Sequence, residues 1–316
     1  MWFSQEVRSE LARLPAPREC CRRAELAAFL RGGGRLELSA RAASLEVEVQ
    51  DPAVARRLLG LLKETFPVSA EVLVRRNNRL RKNNAYLVRV PPSADVQGIL
   101  LALEATDEAF IPSAGVPPFV WRRSCCRRAF LRASFLIHGS LTDPEKGYHL
   151  EWAVADYSLA QGVQRLLASF RVKSGLSQRK RGFVVYVKEA EDISTVLRLL
   201  GADSAVLRFE NARVLREVRN QVNRQVNCET ANVDKAVTAA LRQIEEIKWF
   251  DDHLGLEHLP RRLREVARAR LAHPEASLAE LGQFLRPRLG KSAVNHRMRR
   301  LLALVRAHQD RVREGR

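Results

Sequence analysis

The sequence has no run of apolar residues long enough to cross a membrane. No stretch reaches the roughly 18 consecutive apolar residues that a transmembrane helix needs. The first residues, Met1 to Glu6, also lack the basic segment and the apolar core of a secretory signal. These absences exclude a membrane protein and predict a cytoplasmic location.

Cysteine is scarce, with 5 among 316 residues. Four of the cysteines form two adjacent pairs, Cys20-Cys21 and Cys125-Cys126, and the fifth is Cys228. No CxxC or HxxxH spacing lies nearby, and two adjacent residues do not easily reach the same tetrahedral ion. We therefore predict no metal site and interpret the pairs as small buried residues at helix starts.

Motifs for nucleotide or triad chemistry are missing as well. No phosphate loop of the form G-x-x-x-x-G-K-[ST] occurs, and the glycines Gly32 to Gly34 follow a predicted helix instead of preceding one. The order and setting of the 7 histidines suggest no nucleophilic triad. We therefore predict no cofactor.

Acidic residues are outnumbered, with 36 Asp and Glu against 54 Lys and Arg, for a net charge of +18. Such a basic chain favours a polyanionic partner, double-stranded DNA first and an anionic membrane surface second. With 46% hydrophobic residues, the chain is long enough to fold into two or three domains.

The sequence contains a long internal repeat. The pentapeptide Cys-Cys-Arg-Arg-Ala occurs at Cys20 to Ala24 and again, 105 residues later, at Cys125 to Ala129. Similar segments follow both occurrences. A unit of about a hundred residues is too long for a solenoid repeat, so the chain contains two copies of one compact domain.

Each copy predicts the same order of elements. An apolar helix ends in glycine, two strands follow, and then come a helix, a hairpin and a closing helix. In copy one these elements fall at 22–31, 35–37, 44–49, 52–65, 70–75, 86–90 and 93–103.

Helices are also predicted outside the two copies. Ser4 is the expected N-cap of a first helix. After the second copy, apolar residues at every fourth position predict two long helices, 211–226 and 233–249, with Thr230 and Asn232 as alternative caps between them. We interpret these two helices as a linker.

The last part of the chain predicts a helix-turn-helix domain. Residues 259–316 hold 15 Lys and Arg but 5 Asp and Glu. Ser277 to Glu280 has the sequence of a capping box, and Pro287 and Gly290 predict a break before a third helix that Ser292 caps. Three helices with a short second and a basic third are typical of this domain.

The third helix is the predicted recognition helix. Its apolar residues recur on one side, which leaves a polar face for the major groove. We predict that Asn295 pairs with adenine and Arg299 with guanine. The expected phosphate contacts are Lys291, Arg297, Arg300, Arg286 and Arg288. Ser292 and His296 complete the candidate DNA-binding set.

A basic loop precedes the last strand of each copy. Copy one contributes Arg79, Arg81 and Lys82, and copy two contributes Arg179, Lys180 and Arg181. Such loops at hairpin tips neutralise phosphates without reading sequence. The alternative is an ordinary solvated turn.

Two segments, Leu26 to Gly34 and Leu131 to Gly139, resemble degenerate LAGLIDADG motifs, the paired helices between the halves of homing endonucleases. With residues 227–232 and 291–297, nearly the whole chain closely resembles the WhiA family of bacterial regulators. The resemblance implies an α+β fold: a saddle-shaped, duplicated LAGLIDADG-like αββαββα domain, then a helical linker and an all-α helix-turn-helix domain. The boundaries we predict are 1–105, 106–204, 205–255 and 256–316.

The nuclease pattern is broken at its catalytic positions. A homing endonuclease needs an acidic residue near the end of each motif to bind a divalent metal, but Gly33 and His138 stand there in this chain. We predict no nuclease activity and no enzyme. The nearby carboxylates Glu37, Asp143 and Glu145 leave a residual metal-dependent nuclease as an alternative.

The residues and the resemblance together predict a sequence-specific transcription regulator of bacterial cell division, chromosome segregation or sporulation genes. We expect it at the nucleoid, without membrane contact, and as a monomer because duplication already supplies two-fold pairing. The first alternative is an architectural, chromosome-associated DNA-binding protein, which the specificity ratio would distinguish. The second is a protein-interacting adaptor, with RNA polymerase or another transcription factor as the candidate partner.

Overall fold

In a computed structural model of the chain, residues 2–38, 43–75, 84–92, 95–107, 109 and 111–314 are described. The chain divides into two compact units, residues 1–217 and residues 218–316. The described residues contain no helix with both the length and the apolar character of a membrane span.

The first unit contains the predicted duplication. It opens with helix α1 (Trp2–Arg13). Copy one consists of α2 (Glu19–Gly33), β1 (Gly34–Leu38), β2 (Ala43–Val49), α3 (Pro52–Thr65), β3 (Glu71–Arg75), β4 (Ala85–Val90) and α4 (Val96–Ala102). After a short helix, α5 (Pro118–Trp121), copy two consists of α6 (Ser124–His138), β5 (Gly139–Leu141), β6 (Leu150–Val154), α7 (Tyr157–Ala168), β7 (Gly175–Arg179), β8 (Gly182–Val187) and α8 (Ala190–Leu200). The αββαββα order is confirmed in both copies.

Each copy forms one antiparallel sheet of four strands with the same topology. The strand orders are β1-β2-β4-β3 and β5-β6-β8-β7.

Local sequence explains several helix starts. The Asp51 carboxylate accepts a hydrogen bond from the N–H of Ala53 at 2.7 Å, and Pro52 occupies the first helical position of α3. Asp156 caps α7 in the same way.

Helices α2 and α6 pack against each other in the core of the first unit. Leu26 and Phe29 of α2 and Phe130 and Phe135 of α6 are fully buried. The ring of Phe135 meets Trp152 edge to face, with centroids 5.9 Å apart. The LAGLIDADG-like helices therefore join the two copies within one chain.

The predicted N-cap role of Ser4 is wrong. Helix α1 begins at Trp2, so Ser4 lies inside its first turn. The Ser4 hydroxyl instead accepts a hydrogen bond from the N–H of Leu141 in β5, at 3.2 Å. The apolar side of α1 is as expected, because Val7 and Leu11 are fully buried.

The predicted break between two linker helices is also wrong. A single helix, α9 (Asp203–Leu254), runs for 52 residues. Residues 227–232 contain neither proline nor glycine, and the caps Thr230 and Asn232 do not stop a helix without such a breaker. Across this segment the Gln225 amide donates to the Glu229 carboxylate, one turn later, at 3.1 Å.

The second unit contains three further helices, α10 (Arg261–Ala272), α11 (Leu278–Phe284) and α12 (Lys291–Glu314). Its core includes Ile247 and Phe250 from the end of α9. Most core positions that the helical spacing predicts are buried, namely Leu263, Val266, Ala267, Leu281, Leu285, Val294, Met298, Leu301 and Val305. Leu278 and Leu302, which the spacing also predicts to face the core, are only partly buried and pack against it.

Candidate nucleic-acid interface

The turn before α11 is held by the capping box that the sequence predicted. The N–H of Glu280 donates to the Ser277 hydroxyl at 3.3 Å, and the Glu280 carboxylate accepts from the N–H of Ser277 at 2.7 Å. These hydrogen bonds lower the pKa of Glu280 from its ordinary value. The short second helix of the helix-turn-helix therefore has a defined start.

Two residues that the sequence did not single out position the turns. Arg270, at the end of α10, is 2% exposed and donates to the carbonyl oxygens of Pro274 at 3.3 Å and Ala276 at 2.6 Å. Gly282 in α11 packs against the turn that leads to α12, since a Cβ there would lie 2.0 Å from the carbonyl oxygen of Leu289. Arginine is usually exposed, so the sequence contains no signal for the role of Arg270.

Helix α12 begins at Lys291, which makes Ser292 its second residue. The expected cap at Ser292 is therefore wrong, and the N–H of Val294 bonds the carbonyl of Gly290, the residue before the helix. Gly290 has no side-chain oxygen that could cap the helix. The first N–H groups of a helix can bind water or a ligand instead of a cap.

The candidate residues of α12 form two ridges in its first three turns. Residues four positions apart lie about 40° apart around a helix axis, so Lys291, Asn295 and Arg299 form one ridge. Ser292, His296 and Arg300 form the second ridge beside it. Asn295 is half-buried at the edge of the core, and the other five side chains are exposed.

The side chains of these ridges make no hydrogen bond or ion pair with any part of the chain that the structure describes. Their polar atoms are therefore free for a ligand. Arg286 and Arg288 are exposed in the turn that precedes α12, close in sequence to both ridges. Arg297 is half-buried and lies off both ridges, so it is not brought together with the other candidates.

The basic loop of copy two is a tight turn between β7 and β8. Arg179 ends β7 and pairs with Glu151 at 3.3 Å, whereas Lys180 and Arg181 are exposed at the turn itself. The corresponding candidates of copy one, Arg79, Arg81 and Lys82, lie outside the described residues.

The broken catalytic positions lie at the carboxyl ends of α2 and α6. Burial lowers the pKa of His138 from 6.5 to about 4, so the ring is neutral at physiological pH. Within the described ranges, Glu37, Asp143 and Glu145 belong to no group of three or more metal-ligating side chains close enough to share an ion.

A duplicated αββαββα domain followed by a helix-turn-helix domain defines a LAGLIDADG-like protein with a DNA-binding module. Three family models match the chain in this order: the WhiA N-terminal LAGLIDADG-like domain at residues 19–104, the WhiA LAGLIDADG-like domain at residues 127–219 and the WhiA C-terminal HTH domain at residues 222–305. The chain belongs to the WhiA family.

Full-length relatives agree with this family. The chain is 46% identical to a protein named probable cell division protein WhiA from Heliobacterium modesticaldum, over 97% of both chains. It is 43% identical to a protein of the same name from Desulfitobacterium hafniense, over 100% of both. A crystal structure of full-length DUF199/WhiA from Thermatoga maritima matches with a TM-score of 0.59 and 26% identity, covering 96% of this chain and 97% of that one.

Proposed function

We propose that the chain is a sequence-specific DNA-binding transcription regulator of bacterial cell division genes, with chromosome segregation and sporulation genes as further targets. The observation that carries this proposal is the pair of polar ridges on the first three turns of α12. A recognition helix reads base edges with its N-terminal residues, and this is the part of α12 where the unpartnered side chains lie. The names of the relatives support the choice of cell division.

In this proposal some residues of the two ridges read bases and others bind phosphates. Asn295 reads adenine and Arg299 reads guanine, because an amide and a guanidinium can each make two hydrogen bonds to those bases in the major groove. Lys291, Arg300, Arg286 and Arg288 bind phosphates. Arg297 and the basic turns of the duplicated domain add charge without reading sequence.

The duplicated domain binds DNA or supports the helix-turn-helix domain. It does not cut DNA, since Gly33 and His138 replace the carboxylates of a nuclease. One chain acts alone, because the packing of α2 on α6 already provides the pairing of two LAGLIDADG-like halves. The protein acts at the nucleoid, where RNA polymerase or another transcription factor is the candidate protein partner.

Sequencing of bound genomic fragments tests the proposal. The purified chain is mixed with sheared DNA from its own source in Mg²⁺ at near-physiological salt, and the bound fragments are sequenced together with their ends. Enrichment of a few promoter-proximal sites that share a motif, without new ends, is expected. The double variant Asn295→Ala/Arg299→Ala serves as the matched control and should lose the motif.

Other outcomes would identify the alternatives. Diffuse recovery across the genome indicates an architectural protein that binds through phosphates, consistent with the net charge of +18. New ends at fixed positions indicate a nuclease. Retention of a protein partner by a chain that ends before α12 and no longer binds DNA indicates an adaptor.

A further inference from the structure

The four cysteines of the two adjacent pairs meet at one place in the first unit. The Sγ atoms of Cys20, Cys21, Cys125 and Cys126 all lie within 4.8 Å of one another. Over the described ranges, this is the only such group of three or more cysteine, histidine or carboxylate side chains. One pair lies in the first turn of α2 and the other in the first turn of α6, so the amino ends of the two packed helices bring them together.

This arrangement removes the objection that adjacent cysteines do not easily complete a metal site. Neither pair has to supply more than two corners of a tetrahedron, because the second helix supplies the other two. Four sulfurs bound to one zinc ion at about 2.3 Å are about 3.8 Å apart, so the observed group needs only small side-chain adjustments. A four-iron cluster would hold its cysteines further apart, since each sulfur binds a different iron.

The surroundings of the sulfurs favour negative charge. The cysteines lie at two helix amino ends, where the backbone N–H groups and the helix dipole stabilise a thiolate. Arg18 and Arg123 precede the two helices, and the Arg123 guanidinium is 3.9 Å from the Sγ atom of Cys20. Three of the four cysteines are partly accessible, so an ion can reach them.

The pKa values of Cys21, Cys125 and Cys126 are shifted in different directions although the pairs are repeats. Partial burial opposes ionisation of Cys125, but hydrogen bonds, from Cys21 and Arg18 above all, lower the pKa of this thiol to about 7. Burial, followed by a hydrogen bond with Cys125, raises the pKa of Cys21 to about 12, and burial raises that of Cys126 as well. A divalent cation would allow all four to ionise together, because it replaces mutual repulsion by attraction.

We propose that Cys20, Cys21, Cys125 and Cys126 bind one thiophilic divalent ion, zinc first among them, in a closed structural site that joins the two copies. Binding releases the proton of each thiol that is still protonated and forms four metal–sulfur bonds. Four protein ligands fill a tetrahedral ion, which leaves no open position for catalysis. The site lies at the end of α2 and α6 opposite to Gly33 and His138, about 19 Å away along the helices.

The metal content of the purified chain tests the proposal. The full-length chain is purified anaerobically, with a reductant and without chelator, and zinc is measured by plasma mass spectrometry. We expect one zinc ion per chain in the wild type and in Cys228→Ser, a control in which an exposed cysteine of α9 outside the cluster is replaced. The double variant Cys20→Ser/Cys125→Ser should lose at least nine-tenths of the metal.

A second measurement does not depend on the folding of a variant. The metal-free wild-type chain is titrated with Co²⁺, and the expected result is an intense sulfur-to-cobalt charge-transfer band with the visible bands of tetrahedral cobalt, saturating at one equivalent. A wild-type chain with four free thiols that gives neither zinc nor these bands would overturn the proposal. Cysteine pairs linked as disulfides under reductant, or a brown iron–sulfur chromophore, would overturn it as well.

Discussion

Gly32 lies directly against His138 where the two LAGLIDADG-like helices end. A Cβ atom on Gly32 would be 2.6 Å from Nε2 of His138 and 2.8 Å from Cδ1 of Ile137. The imidazole ring therefore occupies the space that a side chain on α2 would need. This contact between the two copies lies at His138 and one residue before Gly33, at the end of the helix pair where the nuclease resemblance places catalytic carboxylates.

The first prediction concerns this contact. Gly32→Ala should lower the free energy of unfolding by about 1–3 kcal/mol, because the added methyl group overpacks the end of the helix pair. Gly60 in α3 provides the matched control, since a Cβ there meets no atom within 4 Å. Gly60→Ala should raise the free energy of unfolding by roughly 0.5–1 kcal/mol through its helix propensity. Urea unfolding followed by circular dichroism measures both, and equal effects of the two variants would contradict the prediction.

The neutral ring of His138 predicts a loss of stability in acid. The unfolded chain takes up a proton on this residue as the pH falls through about 6.5, whereas the folded chain does so only near its pKa of about 4. The unfolded state thus binds more protons between these values, and the free energy of unfolding should fall by up to about 3 kcal/mol over this window. The contribution of His138 to stability is therefore fully present above pH 6.5 and is lost as the pH falls toward 4.

Urea unfolding at several pH values between 4 and 7.5 compares the wild type with His138→Gln, which cannot titrate. The variant should show a shallower dependence on pH over the same range. Parallel curves for the two proteins would mean that His138 does not carry the effect.

The third prediction concerns a buried carboxylate. Glu25 of α2 is fully buried and is bound by the Arg57 guanidinium through two hydrogen bonds, at 2.6 Å and 2.7 Å, and by Arg132 of the second copy at 3.1 Å. Glu25→Gln leaves two arginines without a counter-charge, so the free energy of unfolding should fall by about 3–5 kcal/mol. Glu6→Gln, which breaks an ion pair with Arg208 at the surface, should cost less than about 1 kcal/mol. Thermal unfolding of both variants measures the difference.

The elements with local signals were predictable from sequence. The helix predicted at residues 52–65 coincides with α3, and in the structure Asp51 and Pro52 mark its start. The capping box of Ser277 and Glu280 marked the start of α11 in the same way. Both signals act within a few residues, so they do not depend on the rest of the fold.

The features that depend on tertiary packing were missed. The four-cysteine group joins residues 105 positions apart, and only the packing of α2 on α6 brings them within 4.8 Å. The repeated Cys-Cys pairs were the available signal, but each pair alone lacks the spacing of a metal site. The continuity of α9 was missed for the opposite reason, because cap residues such as Thr230 are compatible with a helix interior when no breaker accompanies them.

The last prediction separates base reading from phosphate binding in the proposed recognition helix. Asn295 lies four residues after Lys291 and Arg288 lies three residues before it. Neither side chain makes a polar contact with the residues that the structure describes. Asn295→Ala should cost about 1–3 kcal/mol of binding to the preferred site and relax the preference at one base pair, because the lost hydrogen bonds read that base. Arg288→Ala should instead weaken binding to every sequence alike and reduce the slope of log affinity against log salt by about 1. Fluorescence anisotropy with the enriched site and with single-base variants of it, over a range of salt concentrations, distinguishes the two effects, and a uniform loss with both variants would assign Asn295 to the phosphates instead.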